Sequence, residues 1–87
     1  MGTVRVDVWM WSVRLFRTRT ASTAACTNGS VRINDVVVKA SRKVEPGDRV
    51  VVKAGGRLRV VEVVETPSKR VGASVAAEAY NSPRSPL

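Results

Sequence analysis

The sequence predicts an α+β fold: two short N-terminal helices, a small and mostly antiparallel sheet, and a short closing helix. Apolar residues at Val6, Trp9, Met10 and Val13 recur at i, i+3, i+4 and i+7, the stripe of an amphipathic helix. Eighteen valines against one Phe, one Tyr and two Trp call for a core of β-branched side chains, which favour strands. RVVVKA and RLRVVEVVE, separated by Gly55 and Gly56, read as a hairpin. Eighty-seven residues leave room for one domain, expected over 1–81, and a chain of this size buries only about 60 to 65% of its unfolded surface.

The first helix is expected from about Val6 to Leu15, with Trp9 in the core. Asp7, Trp11 and Arg14 fall on another face, at i, i+4 and i+7. Trp11 either stacks on a base or packs against the late strands, and packing is the expectation. Phe16, Arg17, Thr18 and Arg19 form an elbow in which Phe16 plugs the gap between helices. Thr18 is placed to cap a second helix, Arg19 to about Asn28, whose free N–H groups and dipole then face any incoming phosphate. That helix is built from small residues, Ala21, Ala24, Ala25 and Cys26, and permits close approach to its neighbour. Asn28 and Gly29 supply its stop, because the left-handed conformation is cheap for Gly and tolerable for Asn.

Ser30 to Ile33 read as a strand, Asn34 and Asp35 as a two-residue turn, and Val36 to Val38 as its return. Arg32 projects opposite to Val31 and Ile33. KASRK, Lys39 to Lys43, is a second basic patch, and Pro46, Gly47 and Asp48 turn the chain into the hairpin. Arg57 and Arg59 at the hairpin tip are taken as solvent-facing charges. Ser74 to Tyr80 read as a closing helix capped by Ser74. From about Asn81, with Pro83 and Pro86, a disordered tail is expected, the segment 82–87 lying outside the domain.

The net charge of +8 is unevenly spread. Residues 1–43 hold eight cations against Asp7 and Asp35, whereas residues 44–87 hold seven against five acids. A polyanion-binding surface therefore belongs to the first half. The one cysteine, Cys26, cannot make an intramolecular disulfide, and with no His in the chain nothing activates it as a nucleophile or suggests a metal site. No cofactor is expected. No apolar run approaches the ~18 residues of a membrane span, and no export signal is recognisable, so a cytoplasmic location and no membrane partner are expected.

The order of these residues resembles a known family. Arg5, Val6 and Asp7, then Trp9, Met10 and Trp11, then Arg14, Arg17, Thr18 and Arg19, then Gly29, Val31 and Asn34, and finally Lys39, Ser41, Gly47 and Asp48 are similar to the αL RNA-binding motif, the S4 domain. RVDVWMWSVRLFRTR resembles most closely the stand-alone, ribosome-associated heat-shock branch of that family, and the likeness extends from Arg5 to about Asn81. The resemblance implies a helical motif packed on a small curved sheet. It implies RNA contacts from Arg5, Arg14, Arg17, Thr18, Arg19, Arg32, Lys39, Ser41, Arg42 and Lys43, with Asp7 orienting a neighbouring arginine. The implied partner is ribosomal RNA of the large subunit, and also tRNA, bound without catalysis in the rescue or quality control of stalled translation; a monomer is expected. Three positions depart from the family pattern: Asp35 where Gly is usual, Cys26 where a bulky aliphatic is usual, and Thr23 where a further basic residue is common.

Other functions fit less well. An RNA-modifying enzyme, for which such a motif would be an appendage or partner, needs catalytic groups that these residues do not supply. Duplex DNA readout needs base-reading side chains, and helix two offers Thr20, Ser22, Thr23 and Thr27 and no Asn, Gln or Arg beyond its first turn. No DNA partner is therefore expected.

Overall fold

A computed structural model describes residues 3–54, 56–67 and 69–81. The expected tail over 82–87 lies outside the described residues. The elements in order are β1 (Val4–Arg5), α1 (Val6–Ser12), α2 (Arg19–Thr27), β2 (Val31–Ile33), β3 (Val36–Val37), β4 (Lys43–Val44), β5 (Arg49–Ala54), β6 (Arg57–Val63), α3 (Ala73–Glu78) and β7 (Tyr80–Asn81). β3, β2, β5, β6 and β7 lie side by side in that order in one sheet, every neighbouring pair antiparallel. β1 and β4 form a separate two-stranded ladder that pairs Arg5 with Lys43. The α+β class and the antiparallel sheet are as the sequence predicts.

The core joins the stripe of α1 to the inner face of the sheet. Val6, Trp9, Met10 and Val13 are all buried, against Val31 and Ile33 of β2 and Val50, Val52, Val61 and Val63 of the hairpin. Trp9 fills the centre. Its indole N–H donates to the Glu65 carbonyl at 2.8 Å, and its ring meets Tyr80 edge-on at 6.4 Å.

Both helices end in the same device. After α2, Gly29 takes φ +75°, its N–H donates to the Cys26 carbonyl and that of Ser30 to the Ala25 carbonyl. After α1, Arg14 takes φ +66°, its N–H donates to Trp11 and that of Leu15 to Met10. This is the Schellman arrangement, which satisfies carbonyls that have no partner inside the helix. It stops α1 at Ser12, three residues before the expected end at Leu15, because the left-handed residue is an arginine and leaves no glycine in the sequence to mark it. α2 stops one residue before Asn28, at the place the Gly29 signal indicates.

The closing segment also differs from expectation. Gly72, not Ser74, occupies the N-cap of α3, and the helix ends at Glu78. Tyr80 and Asn81 form an edge strand opposite Val63 and Glu62 instead of a last helical turn and the start of a tail. The Tyr80 ring against Trp9 holds this strand to the core.

The turn between β2 and β3 places Asn34 at φ +51° and Asp35 at φ +71°, as a type I′ turn requires. Asn34 also links the turn to the hairpin: its Oδ1 accepts from Arg49 N–H at 3.0 Å and its Nδ2 donates to Asp48 at 3.2 Å. Asp35 holds a left-handed conformation in which a side chain is strained. Asp35→Gly relieves about 1 to 2 kcal/mol of left-handed strain against an entropic cost of about 0.5 to 1 kcal/mol, so it is expected to stabilise the fold and raise the thermal midpoint by a few degrees. A lower midpoint would contradict this account of the turn.

Candidate nucleic-acid interface

The ten candidate binding residues are all exposed, whereas the candidate orienting acid, Asp7, is buried at 3% exposure. Asp7 does not share an open face with Trp11 and Arg14, as helical spacing alone predicts, because α2 lies across it. Its carboxylate accepts from Arg5 Nε at 3.1 Å, Arg5 Nη2 at 3.0 Å, the Val8 N–H at 2.8 Å and the Thr23 hydroxyl at 2.9 Å. The carbonyl of Asp7 accepts from the buried Ser22 hydroxyl at 2.7 Å. One residue therefore fixes the Arg5 guanidinium in a two-bond fork, accepts the Val8 N–H in the first turn of α1 and ties α1 to α2. The Val6 and Asp7 N–H groups donate to the carbonyls of Arg42 and Ala40, so the basic loop closes over the same helix end.

At the elbow the Thr18 hydroxyl accepts from Ala21 N–H at 3.0 Å, the cap expected from sequence. Phe16 is half-buried and packs against the core cluster. Trp11 is half-buried, with Arg19 and Arg70 each 5.8 Å from its ring centroid. It thus packs, but on arginines more than on strands. Arg14 turns its guanidinium to the Val71 carbonyl at 3.2 Å, leaving Arg17 and Arg19 as the outward cations of the elbow.

A second cationic group lies at the other end of α2. Arg5, Lys39 and Ser41 line an open groove of about 570 Å³ whose walls include Cys26, Thr27, Gly29 and Val38. Arg42 shares a neighbouring depression with Lys39 and Ser41, and Lys43 stands opposite Arg5 across the β1 and β4 ladder. Burial, reinforced by Asp7 and partly offset by Arg5, pushes the Cys26 thiol up to about 11, so it remains neutral and serves as a wall. Arg32 is set apart, on the outer face of the sheet with Val51, Lys53 and Leu58, although its depression also reaches Gly29.

Apart from Arg32, the candidate cations fall into two groups at the ends of α2, whose nine residues span roughly 13 Å at 1.5 Å per residue. Between them α2 presents Thr20, Thr23, Ala24, Thr27 and Asn28 along a shallow depression. Small, uncharged side chains there let a polymer backbone lie close while its charges meet cations at both ends. Sequence reasoning missed two parts of this site. Thr23, noted only as lacking a basic side chain, supplies a hydrogen bond to Asp7. Arg70 braces the elbow from more than fifty residues away and sits in a segment with no periodic pattern to flag it.

Two helices joined by a basic elbow, a following strand and an antiparallel sheet define a small αL-type domain with a cationic helical face. A family model described as the S4 domain matches residues 4–50, and the chain belongs to this family. It is 29% identical over 82 residues to a heat shock protein 15 homolog of Haemophilus influenzae, covering 94% of this chain and 63% of that protein. It is 36% identical over 62 residues to the RQC P-site tRNA stabilizing factor of Bacillus subtilis, covering 71% and 72% of the two chains. A trimeric structure of Vibrio cholerae heat shock protein 15 superposes with a TM-score of 0.88 at 27% identity, covering 94% of this chain and 83% of that one. The chain thus spans less than two thirds of the length of the Haemophilus influenzae relative.

Asp7→Asn keeps the shape of the acid but puts an amide NH2 where one oxygen accepts. The variant is expected to lose about 1 to 3 kcal/mol of stability, seen as a lower urea midpoint at unchanged slope. An unchanged midpoint would show that the buried carboxylate does not hold the two helices.

Proposed function

We propose that this chain is a non-enzymatic RNA-binding protein that recognises structured RNA of the large ribosomal subunit, and tRNA held there, in the rescue or quality control of stalled translation. The observation that carries the reading is the pair of cationic groups, Arg17 with Arg19 and Arg5 with Lys39, Ser41, Arg42 and Lys43, at opposite ends of a helix lined with threonines. Cations held at a fixed spacing suit the phosphates of a folded RNA, and beyond its first turn helix α2 has no Arg, Asn or Gln to read base edges in a groove.

Membership of the S4 family supports the reading, as do relatives named for heat shock and for stabilising a P-site tRNA. In this reading Arg32 and Arg14 belong to the margin of the site, because Arg32 lies on the sheet flank and Arg14 turns to the Val71 carbonyl. Binding by a single copy in the cytoplasm suffices, although the Vibrio cholerae protein forms a trimer in its structure. A neutral, walled-in Cys26 and a sequence without His favour binding over catalysis.

Affinity for purified bacterial large ribosomal subunits is expected to fall with salt at a log–log slope of about −3 to −5, from roughly four to six neutralised phosphates. Replacing Arg17 and Arg19 together by Ala should weaken binding and flatten that slope by about 1.5, with the fold unchanged by circular dichroism. A slope that does not respond to the double substitution would remove the elbow from the site.

A further inference from the structure

The segment that follows β6 returns to the elbow and grips it. Arg70 Nη1 donates to the carbonyls of Arg17 at 3.1 Å and Phe16 at 3.2 Å, with a longer contact of 3.4 Å to Trp11. The Val71 N–H donates to the Ser12 carbonyl at 3.1 Å, and the Val71 carbonyl accepts from Arg14 Nη1 at 3.2 Å. The Arg70 guanidinium also lies 5.8 Å from the centroid of the Trp11 ring, at the same distance as that of Arg19. These bonds fall where the backbone needs them, since α1 has ended and α2 has not begun, leaving elbow carbonyls without helical partners. The whole segment lies beyond residue 50, outside the part of the chain that the S4 family model matches.

We infer that Arg70 is a positioning residue for RNA binding: it does not itself hold the RNA, but sets the elbow backbone from which Arg17 and Arg19 reach their phosphates. The inference rests on the reading of the elbow as an RNA-binding site. Its chemistry is that of a planar guanidinium, which serves several carbonyls through its N–H groups while its face packs on an indole. A lysine at this position keeps the charge and one donating nitrogen, but it lacks the planar face that packs on the indole. The C-terminal third of the chain therefore tunes the affinity of a site built by the first third.

The test is a double-mutant cycle read by equilibrium binding to purified bacterial large ribosomal subunits, with thermal midpoints measured for each variant. Arg70→Met and Arg70→Lys are each expected to weaken binding on the order of tenfold, whereas in the background of Arg17→Ala with Arg19→Ala the same changes should have less than about a twofold effect. Equal losses in both backgrounds would overturn the inference in favour of a direct or independent contact. Wild-type affinity of Arg70→Lys would reduce Arg70 to a general charge and also overturn it. Should Arg70→Met fail to fold, Arg70→Lys alone completes the cycle. If the Arg17 and Arg19 substitutions weaken binding but those at Arg70 do not, the positioning role fails and the RNA-binding elbow stands. If the Arg17 and Arg19 substitutions have no effect, the elbow reading itself fails.

Discussion

The Asp7 carboxylate is the constraint on which the cationic face depends. It is nearly excluded from solvent, and removing a charge from water is costly unless the charge is paired and every lone pair is used. Arg5 supplies the pairing, and Val8 N–H and the Thr23 hydroxyl supply the remaining bonds. Because those donors come from the start of α1 and the middle of α2, satisfying the acid sets the relative placement of the two helices. It also directs the half-exposed Arg5 guanidinium into the groove shared with Lys39 and Ser41. A residue that subtracts from the net positive charge thereby makes one of the cations more useful.

The second brace works at the opposite end. Arg70 and Val71 hold the elbow through backbone carbonyls and through Trp11, so α2 is held at its entry and at its middle by contacts distant in sequence. Beyond Arg19 the helix is made of Thr, Ser, Ala and Cys, with Ser22 and Cys26 buried and the threonines turned outward or toward Asp7. Small residues on the inner side bring α2 close to α1, and small residues on the outer side leave it open to a ligand. Rigid spacing of charges, and not their number alone, distinguishes such a surface from a generally basic one.

Local chemistry in the sequence was enough to read the stripe on α1, the Thr18 cap, the Gly29 stop, the turn at Asn34 and Asp35, and the β5 and β6 hairpin. Each rests on residues within a few positions of one another. What sequence alone left out depends on partners brought close only by folding. Asp7 looks exposed by helical spacing until α2 covers it. α1 ends early because Arg14 adopts a conformation usually left to glycine. Tyr80 belongs to a strand because Trp9 and β6 are beside it, and Arg70 matters because the elbow is beside it. The ten candidate binding positions were legible as exposed basic or hydroxyl residues, but the gathering of most of them at the two ends of α2, with Arg32 apart on the sheet, was not.

The central claim is that one RNA segment lies along α2 and meets both cationic groups at once. Photo-crosslinkers placed separately at Arg17, in the elbow, and at Lys39, in the groove, test this most directly once the crosslinked nucleotides on large ribosomal subunits are mapped. Groups at the two ends of one helix about 13 Å long should mark the same RNA element at nearby nucleotides. Crosslinks from the two positions to unrelated RNA elements, or from neither to RNA, would contradict the account.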